Sequence, residues 1–362
     1  MNRTPAVNPP IGDRCRIVVR ATNWIGDGVM SMPALEMLRK ARPRAHVAVL
    51  ARPEVGDLYR QSFIDEVIPW TARARRRDIL GRWMLASRIR RQGFDAAILF
   101  QNAFDAALVM WLARIPVRIG YDVNRRRVLL THPVRATPAT DRPAHQSTYY
   151  VNMLQRAGIV PAAPERPRPA LLPPDACGAA RDVLAEGSWI GVAPGSSNGH
   201  AKRWLPERFA EASAIAARTL GSRIVLLGSN ADKDVCARVE AALRSLGADA
   251  VDLSGSTSVG TLMRLTAACD AVLANDSGSM HVADALGVPT VAVFGPTCER
   301  STGPTGPYSV AVRHRVECSP CLLQECPIDH RCMTGVESTR VAAELIRVAA
   351  AGRASRRSEV PA

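Results

Sequence analysis

Lysine is nearly absent from this chain. Of 47 basic residues in a length of 362, only Lys40, Lys202 and Lys233 are lysines, and the rest are arginines. Acidic residues are also few, 33, which leaves a formal net charge of +14. Long apolar runs are missing. None approaches the roughly 18 residues that a membrane-crossing helix needs, and Met1 to Asp13 is polar, without the apolar core of a signal peptide. Aromatic residues make up only 5%, and none is interleaved with the arginine clusters in the manner of proteins that stack single-stranded bases. Zinc-finger and basic-zipper spacings are absent too. These absences argue against an integral membrane protein and a secreted disulfide scaffold. The 47% hydrophobic content argues against a disordered tail protein. A soluble cytosolic protein with an anionic partner is expected.

The arginines cluster at Arg73-Ala-Arg75-Arg76-Arg77, Arg88-Ile-Arg90-Arg91 and Arg125-Arg126-Arg127, all in the first half. Arginine excess also arises from GC-rich coding. Where the clusters act as a surface, an anionic membrane or lipid headgroup is the expected partner, with no nucleic acid.

The length suggests two domains. Strand-like runs occur at Arg16–Thr22, His46–Leu50, Glu66–Ile68 and Ala96–Phe100, and helix-like segments run from Val29 to Ala41 and from Arg76 to Arg91. In the second of these helices Ile79, Trp83 and Ile89 recur at helical spacing and predict the apolar face. Six prolines (161, 164, 167, 169, 173 and 174) then interrupt both patterns. Proline lacks the amide donor that a helix interior or central strand requires, so 161–174 reads as a linker between domains 1–160 and 175–362. The alternation restarts with strands at Trp189–Ala193, Arg223–Leu227, Ala250–Leu253, Ala271–Ala274 and Thr290–Phe294, separated by helices such as Pro206–Leu220 and Ala231–Leu246. Such alternation predicts an α/β protein with parallel sheets covered on both faces and a ligand cleft between the domains.

Polar, Gly-rich loops fall at the C-terminal ends of these strands, where open parallel sheets bind ligands. In Asn23-Trp-Ile-Gly-Asp-Gly28, Gly26 and Gly28 allow close approach of the backbone or positive φ. Asp27 is either a helix N-cap or a carboxylate base. The third glycine of a dinucleotide fingerprint is lacking. The loop Pro194–Trp204 offers Gly195, Ser196, Ser197 and Gly199 to a phosphate, followed by Lys202. The spacing is not that of a Walker loop. A lysine here, in a chain that otherwise uses arginine, is either a surface residue or a site where a compact ammonium fits and a forked guanidinium does not. Asn275-Asp-Ser-Gly-Ser-Met-His281 opens a helix near Ser277, whose free amides favour an anion. His281 reads as structural or catalytic. Gly228–Asn230 and Ser254–Thr257, which includes Ser256 and Thr257, are either nucleoside contacts or ordinary turns.

Taken in order, Asn23-Trp-Ile-Gly-Asp27, Pro194-Gly-Ser, Ala201-Lys-Arg-Trp204, Asn275–His281 and Phe294-Gly-Pro296 resemble glycosyltransferase family 9, the ADP-heptose:lipopolysaccharide heptosyltransferases, and are most similar to the type II inner-core subfamily. The resemblance implies a GT-B fold, two Rossmann-like doubly wound domains facing across a cleft. It implies inverting transfer of heptose from ADP-L-glycero-D-manno-heptose to the inner core on lipid A, at the cytoplasmic face of the inner membrane, with no cofactor required for catalysis. By position it makes Asp27 the general base and Lys202 the group that neutralises the departing ADP. Asn23, Gly26, Ser196, Ser197, Ser256, Thr257, Asp276, Ser277, Gly278 and His281 would bind substrate. Another nucleotide-sugar transferase or an epimerase, and more distantly a non-catalytic anion binder, remain as alternatives.

Nine cysteines are present, four of them in Cys318-Ser-Pro-Cys321-Leu-Leu-Gln-Glu-Cys326-Pro-Ile-Asp-His-Arg-Cys332. The C-x2-C pair with two further cysteines suits a structural zinc. Reduced thiols, or disulfides formed after isolation, are the other readings. Cys15, Cys177, Cys236, Cys269 and Cys298 read as buried small hydrophobes.

Overall fold

A computed structural model describes residues 11–72, 78–136, 145–161, 167–173, 184, 187–197 and 199–358. The Arg73–Arg77 cluster, Pro164, Pro174, Cys177 and Asn198 lie outside the described residues. The chain divides into two compact units, Met1–Pro169 and Ala170–Ala362, and the division falls within the segment read as a linker.

The first unit holds β1 (Arg16–Arg20), α1 (Ile25–Ala41), β2 (His46–Ala51), β3 (Glu66–Pro69), α2 (Ile79–Arg91), β4 (Ala96–Leu99), α3 (Phe104–Leu112), β5 (Val117–Tyr121), β6 (His132–Val134) and α4 (Gln146–Arg156). The second holds β7 (Trp189–Ala193), α5 (Pro206–Leu220), β8 (Arg223–Leu226), α6 (Lys233–Ser245), β9 (Ala250–Asp252), α7 (Val259–Ala267), β10 (Ala271–Asn275), α8 (Gly278–Ala285), β11 (Thr290–Phe294), α9 (Glu299–Thr302), β12 (Ser309–Arg313), α10 (Arg331–Thr334) and α11 (Ser338–Ser358).

Each unit contains one six-stranded sheet. The orders are β3-β2-β1-β4-β5-β6 and β12-β11-β10-β7-β8-β9, and the pairings are parallel. Counted within its own unit, each sheet has the strand order 3-2-1-4-5-6 of a doubly wound fold. The sequence explains the parallel arrangement. Val192 and Leu273 face one layer of helices, while Ala193, Val272 and Ala274 face the other. A strand buried on both faces reads as a continuous apolar run rather than an alternating one.

Strands β5, β6 and β12 were not expected. β6 is only three residues long and contains Pro133, which an edge strand tolerates because one side of its ladder is unpaired. In α2 the expected apolar face is wrong in part. Arg82, Leu85, Ala86 and Ile89 are buried, whereas Ile79 and Trp83 are exposed.

Trp204 is among the largest fully buried side chains. Its ring meets Phe209 edge-on at 5.1 Å, and its indole N–H donates to the Val336 carbonyl at 3.3 Å. Trp204→Ala should therefore destabilise the second unit by about 3–5 kcal/mol in urea unfolding. A loss below about 1 kcal/mol would show that this packing is dispensable.

Candidate functional site

In each sheet the strand order reverses between two neighbouring strands, β1 and β4 in one and β7 and β10 in the other. Ligands of open parallel sheets bind outside the strand ends at such points. Asn23–Gly28 follows β1, Pro194–Trp204 follows β7, and Asp276–Gly278 follows β10. The candidate loops therefore occupy both switch points.

In the first unit the end of β1 is built around a buried cation. Arg20 is 2% exposed. Its guanidinium stacks 4.2 Å from the Trp70 ring and donates to the Leu50 carbonyl at 3.3 Å and to Asn23 Oδ1 at 2.7 Å. Burial lowers its pKa to about 9, with Tyr59 acting in the opposite direction. Asn23 is thus a fixed part of the loop. The N-cap of α1 is Trp24, and Asp27 lies inside the first turn, so Asp27 is not the cap. Two buried phenols feel the charge of this carboxylate. Burial pushes the Tyr150 hydroxyl well above its usual range, and Asp27 pushes it further. Tyr59 is raised by burial in the same way, with Asp27 adding a smaller push. Gly28 makes the close approach possible, because a Cβ there would stand 2.6 Å from Leu58 Cδ2 and 2.9 Å from the Tyr59 hydroxyl. Neither Gly26 nor Gly28 has positive φ.

The loops after β4 and β5 carry residues that the sequence reading missed. Arg126 is fully buried. It donates through Nε to the Tyr121 carbonyl at 2.8 Å, through Nη1 to the Gln101 carbonyl and through Nη2 to Asn102 Oδ1 at 2.8 Å. Asn102 in turn donates to the Tyr149 hydroxyl at 2.7 Å. Within the Arg125–Arg127 cluster the middle residue is therefore an internal strut and not part of an anion-binding surface. Its flanking arginines concealed it in the sequence.

In the second unit one side chain ties the two switch-point loops together. Asn275 is fully buried. Its Nδ2 donates to the Pro194 carbonyl at 2.7 Å, and its Oδ1 accepts from the Trp204 amide at 3.0 Å. Within the loop so closed, Lys202 Nζ lies 2.7 Å from Asp276 Oδ2, with side chains only 16% and 4% exposed. Ser277 is the N-cap of α8, and its buried hydroxyl has no hydrogen-bond partner among the described residues. Gly278 opens the helix and buried His281 lies in its first turn. Ser196 is buried, whereas Ser197 is exposed. The structure thus brings Lys202, Asp276, Ser277, Gly278 and His281 to one end of the sheet. Exposed Ser256 and half-buried Thr257 follow the edge strand β9, and the Gly255 amide joins this loop to Gly228 at 3.0 Å.

The cysteine-rich segment packs against the lysine loop. Among the described residues no group of three or more His, Cys, Asp or Glu side chains could hold a metal ion. Cys318, Cys321, Cys326 and Cys332 therefore do not form a tetrahedral donor set. All four are outside disulfides, ranging from exposed to buried. They are still neighbours: burial pushes the Cys332 thiol up, and Cys318, Cys326 and Cys321 add to the shift. Cys298 is half-buried, unlike Cys15, Cys236 and Cys269, which are buried as expected.

The segment's hydrogen bonds go to the lysine loop. Ala201 N–H donates to the Gln324 carbonyl at 2.9 Å, and His330 Nε2 lies 2.7 Å from the Ala201 carbonyl. Both polar groups of the residue before Lys202 are held from one segment. Gly199, at φ +89°, passes so close that a Cβ would stand 2.3 Å from the Gln324 carbonyl. Gln324 was hidden in the sequence by the more conspicuous cysteines around it, and His330 stood out there only as a neighbour of those cysteines.

Two doubly wound parallel sheets, one in each unit, are the parts of which a GT-B fold is made. Residues 82–331 match the model of Glycosyltransferase family 9 (heptosyltransferase). The chain is 32% identical over 311 residues to lipopolysaccharide heptosyltransferase 2 of Salmonella typhimurium, spanning 82% of this chain and 88% of the relative. It is 31% identical to lipopolysaccharide heptosyltransferase 2 of Escherichia coli, with the same coverage of each chain. Among solved structures, E. coli ADP-heptose lps heptosyltransferase II superposes with a TM-score of 0.77 at 26% identity, covering 93% of this chain and 99% of that one. A family 9 glycosyltransferase from Veillonella parvula superposes with a TM-score of 0.79 at 22% identity, covering 95% and 99%. The chain belongs to glycosyltransferase family 9, the heptosyltransferases.

The Lys202–Asp276 pair is buried, so removing one partner leaves an uncompensated charge. Lys202→Met should cost about 3–5 kcal/mol in urea unfolding. The double variant Lys202→Met/Asp276→Asn should recover a large part of that loss. Additive single-variant effects would show that the two groups do not support each other.

Proposed function

We propose that this enzyme transfers heptose from ADP-L-glycero-D-manno-heptose to the inner core of lipopolysaccharide, with inversion and without a catalytic metal. The observation that carries the reading is Lys202 held by Asp276 beside the N-terminus of α8. A departing diphosphate gains negative charge as the anomeric C–O bond breaks. It then needs positive charge that is already in place. An ammonium has three N–H donors, of which one is directed to Asp276. The α8 amides and the Ser277 hydroxyl supply further donors, and the helix dipole has the same sign. Ser196, Ser197, Gly278 and His281 complete the proposed phosphate and sugar contacts. Ser256 and Thr257, joined to the loop at Gly228, are proposed to face the nucleoside.

Asp27 is the proposed general base. It would take the proton of the acceptor hydroxyl as the oxygen attacks the anomeric carbon from the face opposite ADP. The assignment is favoured over a capping role because Trp24, and not Asp27, occupies the N-cap of α1. Asn23 and Gly26 would shape the acceptor side of this loop. The names of the relatives support lipopolysaccharide as acceptor. A lipid-borne acceptor is met at a membrane, which is proposed to be the cytoplasmic face of the inner membrane. Among the described residues no helix is long and apolar enough to cross a membrane, so the enzyme is proposed to reach its acceptor from the membrane surface.

Asp27→Asn should retain ADP binding by calorimetry while transfer falls about 10²–10⁴-fold, the usual contribution of a positioned base. Turnover within a few-fold of the parent would remove Asp27 from that role. In the same assay EDTA should leave the parent rate unchanged.

A further inference from the structure

The apolar residues of α2 lie on two opposite faces. Leu85, Ala86 and Ile89 turn into the sheet-side core. Ile79, Leu80, Trp83 and Met84 face outward, 74%, 67%, 60% and 55% exposed. Their spacing of i, i+1, i+4 and i+5 places them on one side of the first turns. α3 packs beside α2, and the Arg82–Asp105 ion pair at 2.8 Å joins the two helices. Each ionic partner is followed or preceded by a patch residue, Trp83 after Arg82 and Phe104 before Asp105. Phe104 and Trp111 of α3 are exposed as well, and they lie two turns apart on the same helix side. Farther along α2, Arg88, Arg90 and Arg91 are exposed. Soluble surfaces seldom carry so many large apolar side chains together without a partner.

We propose that this outer face of α2 and α3 is the surface by which the enzyme docks on an anionic lipid bilayer. The residue types match the layers of such an interface. Aliphatic side chains enter the acyl boundary, tryptophan rings lie at the headgroup level, and arginines pair with anionic headgroups. Charge also selects the occupant. A second copy of the chain, itself +14 overall, would set Arg88, Arg90 and Arg91 against the same arginines, whereas an anionic bilayer neutralises them. The proposal rests on the reading of a lipid-borne acceptor and adds to it the face that meets the lipid.

The test uses the full chain with phosphatidylethanolamine vesicles, with and without about one-third phosphatidylglycerol. Co-sedimentation is expected only with the anionic vesicles, accompanied by a blue shift of tryptophan emission. The variant Ile79→Ser/Leu80→Ser/Trp83→Ser alters exposed positions only. It should keep the parent melting temperature and ADP affinity while losing at least about tenfold in vesicle affinity. Replacing Arg88, Arg90 and Arg91 by serine should weaken binding by about 100-fold in all, at about fivefold per arginine. Unchanged vesicle binding by the serine variants would overturn the proposal. So would failure of the parent chain to bind anionic vesicles, or sedimentation equilibrium showing a dimer that the triple variant dissolves. Heptose transfer to a deacylated, water-soluble acceptor is measured alongside. Retained transfer with no vesicle binding overturns the docking face alone, whereas absent transfer counts against the proposed function itself.

Discussion

The second unit depends on Asn275. This buried amide closes an eleven-residue loop by binding Pro194 at one end and Trp204 at the other. It stands at the end of β10, directly before Asp276. The same short segment therefore fixes the loop that bears Lys202 and supplies its counter-ion. A buried amide satisfied on both sides is stabilising, but one left half-satisfied costs the full desolvation of the orphaned group. This asymmetry makes the arrangement of loop, lysine and helix N-terminus an all-or-none feature of the fold.

The surrounding structure reinforces that geometry. Gln324 and His330 hold the peptide groups next to Lys202, and Trp204 anchors the far end of the loop in the core. The cysteine-rich segment thus acts on this loop through its backbone and one histidine. The first unit follows the same plan with different residues. Arg20 and Arg126 are cations kept inside the protein, each spending its donors on carbonyls and a side-chain amide near the ends of β1 and β4. A guanidinium suits this work because its fork reaches several acceptors at once.

Much of the fold was legible because strands buried on both faces leave unbroken apolar runs. Trp189–Ala193, Thr290–Phe294 and the helix Pro206–Leu220 stand where the sequence placed them. Short edge strands were legible only in part: β3 and β9 stand where the sequence placed them, whereas β6, with its proline, and β12, with flanking polar residues, were not foreseen. The outward turn of Ile79 and Trp83 was misread because periodicity shows that apolar residues share a face but not which face is inward. Lys202, Asp276 and Asp27 could be singled out by rarity and by position at strand ends. Arg20, Arg126, Gln324 and His330 could not, because their importance comes from contacts distant in sequence.

The central claim is that Lys202 serves the terminal phosphate of a nucleoside diphosphate. Calorimetric titration of ADP and AMP into the parent chain and Lys202→Gln tests it directly, because glutamine can still hydrogen-bond Asp276. Loss of one charge-assisted hydrogen bond should weaken ADP by about 10–100-fold and leave AMP within about twofold. Equal losses for both nucleotides, or none for either, would contradict the account.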